Sequence, residues 1–247
     1  MGKKSKRSKK TSLIGKPFVS VCTPTYNRAV FLPQLIKCFQ AQTYPKEKME
    51  WIIVDDSDES TEHFFKDVEC VKYFRVKEKM KLGKKRNFMN SKATGDILVY
   101  MDDDDFYPPD RVKHAVHRLC SNPKAMVAGS SIVYIYFNDL DTIFQFGPYG
   151  PMHATAGTFA IRKQLLETSD YDDEADLAEE KRFLKNYTVP LVQLNPEKSI
   201  LVFAHQYNTF DKRKLLINPH PRFVRKTRLK PSYFIKDKEL LEFYMKI

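Results

Sequence analysis

No apolar stretch in the chain is long enough to cross a bilayer, which takes about 20 residues, so no membrane-spanning helix is expected. The basic start is not followed by the apolar core of a secretory signal, and a cytoplasmic location is expected. The four cysteines, at positions 22, 38, 70 and 120, have no C-x-x-C spacing. That argues against a disulfide framework and a cysteine-only zinc site, and fits a reducing compartment. Several catalytic signatures are missing: the chain has no G-x-x-x-x-G-K-[ST] loop, no G-x-G-x-x-G, no G-x-S-x-G and no H-E-x-x-H. ATPase, dinucleotide-binding, serine-hydrolase and zinc-peptidase readings lose support accordingly. Residues 55–60 carry the acids of a calcium loop without its glycine at the sixth position.

What is present suffices for a sizeable core. The 247 residues are 42% hydrophobic and 13% aromatic, which excludes disorder of the whole chain. The net charge of +11 is unevenly placed. Residues 1–10 hold six Lys/Arg and no acid, and residues 1–16 read as a flexible basic tail. Further basic stretches lie at 72–86 and 212–230, while acids gather at 55–62, 102–105 and 170–180. Such separation suits a chain that meets phosphate with one part and a metal with another.

Apolar patterning orders the first half. Residues 18–23 read as a buried strand, followed by a loop at 24–28. Apolar residues at 31, 32, 35, 36 and 39 have helical spacing, predicting a helix over 31–42. Further strands are expected at 51–54, 71–76 and 97–101, with helices at 84–92 and 108–120 and a helix start at Ser60-Thr61-Glu62. This alternation implies an α/β protein with a mostly parallel central sheet flanked by helices. The second half reads as a smaller mixed sheet, continuous with the first, with extended segments at 126–137, 143–146, 154–161 and 200–203. Helices are expected at 175–187 and 236–245. The expected organisation is a tail (1–16), a catalytic domain (17–211, with halves 17–120 and 121–211) and a basic aromatic extension (212–247).

In parallel sheets ligands bind at the carboxyl ends of the strands. Three of the expected strand ends carry polar groups: Thr23 to Arg28, Asp55-Asp56, and Asp102-Asp103-Asp104-Asp105. Four adjacent carboxylates repel one another, and a divalent cation removes that penalty. An all-oxygen donor set suits Mg²⁺ or Mn²⁺, which take substrate phosphates as further ligands.

Four sequence blocks together resemble a known family. They are Val19-Ser20-Val21 with Pro24-Thr25-Tyr26-Asn27, Val54-Asp55-Asp56-Ser57, Gly83-x-x-Arg86-Asn87, and Gly95-Asp96 running into the aspartates. In order and spacing they resemble the GT-A (Rossmann-like) nucleotide-sugar glycosyltransferases, family 2 in particular, over about residues 17–120. The second half resembles it more weakly, through Gly157-Thr158 and Glu179-Glu180-Lys181-Arg182-Phe183.

The resemblance implies a transferase of glycan biosynthesis that moves a sugar from a nucleoside-diphosphate donor, most often a UDP-sugar, to an acceptor hydroxyl. Asp102-x-Asp104 would be the DXD motif, with Asp104 on Mn²⁺ or Mg²⁺ and Asp102 or Asp103 assisting through ribose or water. Asp56 would accept hydrogen bonds from uracil, Tyr26 would stack on the base, the Pro24 segment would contact it through backbone, and Arg86 would lie near the nucleotide. Glu180 matches the family's general base and implies inversion, while Glu179 is its neighbour. His205 is a candidate further metal ligand, and His153 a weaker candidate for sugar or acceptor contact. The implied acceptor is a glycan, lipid-linked or protein hydroxyl. No nucleic-acid partner is expected, and the basic termini make a membrane surface a candidate. Two alternatives remain: a sugar-nucleotide nucleotidyltransferase, whose glycine-rich first loop is missing, and a nucleic-acid-binding protein, suggested only by charge and interleaved aromatics.

Overall fold

The computed structural model describes residues 15–175 and 180–247. Most of the expected tail, and both Leu177 and Glu179, lie outside the described residues. The first half forms β1 (Val19–Thr25), α1 (Leu32–Gln40), β2 (Met49–Asp55), β3 (Val71–Arg75), α2 (Leu82–Lys92), β4 (Ile97–Tyr100) and α3 (Arg111–Cys120). β1 pairs in parallel with both β2 and β4, and β2 with β3.

Every residue of β1, β2 and β4 is buried, because both faces of the sheet are covered. Alternate side chains leave each strand on opposite faces. Val21, Trp51, Ile53 and Val99 join Leu35, Phe39, Val112 and Leu119 of α1 and α3 in one core. Cys22, Ile52, Val54 and Leu98 join Met89 of α2 and Ala93, which caps it, in the other. Trp51 stacks on Phe39 with ring centroids 4.3 Å apart. Between β2 and β3, the expected helix start produces only a short 3-10 turn over Glu62–Phe65.

The second half contains β5 (Val127–Gly129), β6 (Val133–Phe137), β7 (Thr142–Phe146), β8 (Ala160–Arg162), α4 (Glu180–Phe183), β9 (Leu191–Gln193), β10 (Leu201–Ala204), β11 (Val224–Lys226), α5 (Pro231–Phe234) and α6 (Lys238–Lys246). It does not make one sheet. β8 pairs antiparallel with β4, and β5 and β9 follow, giving a seven-stranded sheet ordered β3-β2-β1-β4-β8-β5-β9. β10-β6-β7-β11 form a second, four-stranded mixed sheet.

Two strands were not expected and one expectation is corrected. β9 and β11, three residues each, carry too little pattern to be seen in sequence. The helix expected to reach residue 187 stops at Phe183, and Lys185, Asn186 and Tyr187 take φ of 49°, 55° and 62°. Left-handed backbone costs about 1–2 kcal/mol per residue. It is offset here by complete burial of Phe183 and Leu184 just before the turn.

The segment after residue 211 packs onto the rest of the molecule. β11 adds to β7, and Ile235, Leu240 and Tyr244 are buried in the larger core.

Candidate active site

β1 runs straight into a sharp reversal at Asn27, whose φ is 52°. Asparagine tolerates this conformation because its short amide bonds locally. Here Asn27 Nδ2 donates to Asp58 Oδ2 at 2.7 Å, and the Asp58 N–H donates back to Asn27 Oδ1 at 3.0 Å. The loops after β1 and β2 are thereby clasped together.

The two aspartates ending β2 have different tasks. Asp55 accepts from the N–H of Ser57 (2.8 Å), the N–H and hydroxyl of Thr61 (3.0 and 2.7 Å) and the Tyr73 hydroxyl. Burial alone would raise its pKa, but these donors more than offset that and hold it below the usual carboxylate value. Asp55 therefore shapes the loop. Asp56, 2% exposed, pairs with Lys85 and accepts the Met80 N–H at 2.6 Å. Lys85 Nζ also donates to Thr25 O at 3.2 Å, and the half-buried Tyr26 ring has Lys79 Nζ 4.2 Å from its centroid. Pro24 is buried in β1, opposite Val54.

α2 delivers Lys85 and Arg86 by packing close. A Cβ on Gly83 would lie 1.8 Å from the Asp172 carbonyl oxygen, so only glycine fits there. Arg86 is 3% exposed, not on a solvated helix face. Its guanidinium sits 4.9 Å from the Tyr100 ring centroid and 3.4 Å from Asp102 Oδ1.

The four aspartates after β4 diverge. The Asp102 N–H donates to the Tyr107 hydroxyl at 2.7 Å, and its carboxylate faces Arg86. Asp103 is buried, and desolvation with repulsion from Asp104 and Asp102 pushes its carboxyl up to about 7. Asp104 Oδ2 is met by Arg28 Nη1 at 2.9 Å, Asn208 Nδ2 at 3.2 Å and His205 Nε2 at 3.4 Å. Burial opposes its ionisation, but His205, Lys212 and Arg28 prevail and hold its pKa well below the ordinary value. Asp105 turns inward. Its carboxyl, raised by desolvation and Asp104, accepts the Phe203 N–H at 3.0 Å and ties the turn to β10.

His205 has a fully buried side chain, and its ring lies 4.8 Å from that of Phe31. Its Nδ1 accepts the Tyr207 N–H at 3.2 Å, and its Nε2 lies 3.0 Å from Asn208 Nδ2 and 3.4 Å from Asp104 Oδ2. Among the described residues no three His, Cys, Asp or Glu side chains converge on a metal position. Asp104 and its neighbours Asp102 and Asp103 carry carboxylate oxygens of the kind a hard cation takes, but Arg28 and Asn208 already occupy Asp104 and would have to move aside for one.

Glu180 opens α4, half-buried. Desolvation, then the Glu180 charge, raise the Tyr187 hydroxyl. His153 lies between Tyr187 and Tyr149, with ring centroids 5.1 and 4.9 Å away, and desolvation lowers its pKa. A cavity of about 710 Å³ runs along α2, lined in part by Asn90, Asp96, Lys163 and Glu167, and none of the four turn aspartates borders it.

The structure thus brings together Asp56, Tyr26 and Lys85 as one group, and Asp104, His205, Arg28 and Asn208 as another. Lys85, Arg28 and Asn208 carried no assigned role in the sequence. Arg28 had a legible signal, lying in the polar loop at a strand end. Lys85 was hidden in a basic run, and Asn208 in an irregular stretch.

Sheet order, helices on both faces and polar groups at the carboxyl strand ends define the GT-A class of α/β folds. Solved structures agree in fold. The Pyrobaculum calidifontis mannosyltransferase PcManGT, in complex with GDP-Man and Mn²⁺, superposes with a TM-score of 0.63 at 18% identity, over 78% of this chain and 59% of that one. Staphylococcus aureus TarS 1-349, in complex with UDP-GlcNAc, gives 0.61 at 18% identity, over 87% and 63%. The family model for glycosyl transferase family 2 matches residues 20–170. That is more than half of the chain, which belongs to this family.

Curated relatives share shorter segments. A Campylobacter jejuni GalNAc(5)-diNAcBac-PP-undecaprenol beta-1,3-glucosyltransferase is 35% identical over 96 residues, 36% of this chain and 30% of its own length. The S. aureus poly(ribitol-phosphate) beta-N-acetylglucosaminyltransferase TarS is 29% identical over 106 residues, 39% of this chain and 18% of its own. The matches therefore span less than a third of these relatives' length.

Proposed function

We propose that the protein is a metal-dependent glycosyltransferase that moves a sugar from a nucleoside-diphosphate donor, a UDP-sugar foremost, to an acceptor hydroxyl with inversion. The observation that carries this reading is the Asp104 carboxylate held among Arg28, His205 and Asn208 at the rim of a parallel sheet. The donor complexes of the structural relatives, with UDP-GlcNAc in one and GDP-Man and Mn²⁺ in the other, support the donor class.

Each residue has a task in this reading. Asp56 accepts from the uracil ring, held in place by Lys85 and the Met80 N–H. Tyr26 stacks on the base, and Pro24 presents backbone to it. Arg86 pairs with Asp102, and Asp102 or Asp103 assists through ribose or water. Asp104 and His205 would hold Mn²⁺ or Mg²⁺, which neutralises charge growing on the leaving diphosphate. Arg28 offers the diphosphate a second cation. Glu180 removes the acceptor proton across the sugar from the diphosphate, as an inverting displacement demands. The acceptor is a glycan, lipid-linked or protein hydroxyl.

The test is release of nucleoside diphosphate from a panel of sugar donors with Mn²⁺ present. Asp104→Asn is expected to abolish release when assayed below the variant's own melting temperature, which falls because Arg28 loses its counter-charge. Glu180→Gln is expected to lower kcat by about 10²–10⁴-fold. NMR of the anomeric proton in the product reports inversion. Release without metal that survives Asp104→Asn would defeat the assignment.

A further inference from the structure

Among the described residues the most exposed large apolar side chain is Ile217, 70% accessible. It follows a 3-10 turn, Lys212–Leu216, in which Arg213, Lys214 and Leu215 are also exposed. From there to Arg222 every residue is exposed. Residues 212–230 hold eight Lys/Arg and no Asp or Glu. Arg213 pairs with Asp211 at 2.9 Å and Lys230 with Asp141 at 2.8 Å, and among the described residues the other cations of the run form no ion pair. The loop starts near the site, since Asn208, four residues before Lys212, donates to Asp104 at 3.2 Å.

Two exposed aliphatic side chains on a cationic loop without acids make an apolar tip ringed by positive charge, the composition of an interfacial membrane contact. From this geometry we infer that the 212–222 loop docks on an anionic lipid bilayer. Leu215 and Ile217 enter the acyl boundary, and the exposed Lys214 and Arg222 meet the headgroup phosphates. A polyanionic chain such as RNA matches the charge but gives the aliphatic side chains nothing to enter, so the lipid surface accounts for both features. Docked this way, the rim that carries Asp104 faces the membrane, and the acceptor class is a hydroxyl borne on a lipid. The acceptor statement rests on the proposed transfer, whereas the docking does not.

Sedimentation of the full chain with vesicles tests the docking without any donor. Wild type is expected to bind equimolar phosphatidylcholine and phosphatidylglycerol, and not phosphatidylcholine alone. Leu215→Ser/Ile217→Ser keeps every charge, including those of residues 1–10, and is expected to lower the partition coefficient about tenfold or more. Lys214→Gln/Arg222→Gln is expected to weaken binding at low salt and flatten its salt dependence. Unchanged melting of both variants checks the fold. Equal vesicle binding by wild type and the serine variant overturns the inference, because attraction then comes from charge alone. So does failure of wild type to bind the anionic vesicles, or affinity confined to RNA. Diphosphate release by a variant that no longer binds vesicles would separate the two proposals.

Discussion

At the scale of single residues, the site is organised by competition for one carboxylate. Arg28 and Asp104 are both largely buried, with side chains 11% and 13% accessible, and each neutralises the other. Removing one partner of such a pair leaves a charge without compensation, typically costing about 3–5 kcal/mol. Arg28→Met is therefore expected to lower thermal stability, and Mn²⁺ without nucleotide is expected to restore part of the loss. Melting curves with and without the metal check this. Wild-type melting in the variant, or no response to Mn²⁺, would show that Arg28 and the cation do not share Asp104. The neighbouring aspartates illustrate how differently identical residues are used: Asp103 is kept up near 7 by burial and its neighbours, while Asp105 bonds to the backbone of Phe203.

Between elements, small residues and neutral polar groups set how closely segments approach. A Cβ at Gly95 would fall 2.5 Å from the Ser20 nitrogen and 2.9 Å from the Phe18 carbonyl oxygen, both backbone atoms that cannot swing aside. Gly95→Ala forces β1 away from the turn into β4 and is expected to cost about 1–3 kcal/mol in denaturant unfolding. A variant as stable as wild type would contradict that packing. On α3, His114 Nε2 accepts the Asn195 N–H at 3.0 Å and so anchors the loop after β9. Desolvation, then the charges of Lys198 and nearby basic residues, lower its pKa from 6.5 to about 4. The folded state therefore holds His114 neutral while the unfolded chain takes up a proton first. Its stabilisation is complete above pH 6.5 and is lost as the pH falls toward 4, by about 1 kcal/mol after allowance for partial exposure. His114→Gln keeps an acceptor without titrating. Unfolding measured from pH 7 to pH 4.5 should show a shallower slope in this variant, and equal slopes would exclude His114 as the source.

For the molecule as a whole, the last helix supports the acidic turn from behind. The Tyr244 hydroxyl donates to the Asp105 carbonyl at 2.9 Å, and its ring stacks on Phe203 at 4.5 Å. Tyr244→Phe keeps the stack and removes one buried hydrogen bond, with an expected loss of about 1 kcal/mol. Tyr244→Ala also leaves a cavity and is expected to lose about 3–5 kcal/mol. Equal losses for the two variants would mean that ring packing contributes nothing. Because the helix reaches the turn that bears Asp104, the alanine variant should also lose diphosphate release when assayed below its melting temperature.

Sequence alone determined the parts governed by neighbours along the chain. Strands β1, β2 and β4 were legible because continuous apolar runs have no stable place except a sheet covered on both faces. The clustering of Asp102 to Asp105 was legible as a charge problem in need of a cation. Only the tertiary structure decided which partners answer it. Arg28, His205 and Asn208 reach Asp104 from 76, 101 and 104 positions away along the chain. Likewise β8 joins β4 from the other half of the chain, and Lys85 turns inward from a basic run to meet Asp56. Pattern along a chain reports which side chains avoid water, whereas the pairing of buried charges and short strand edges is chosen by distance in space.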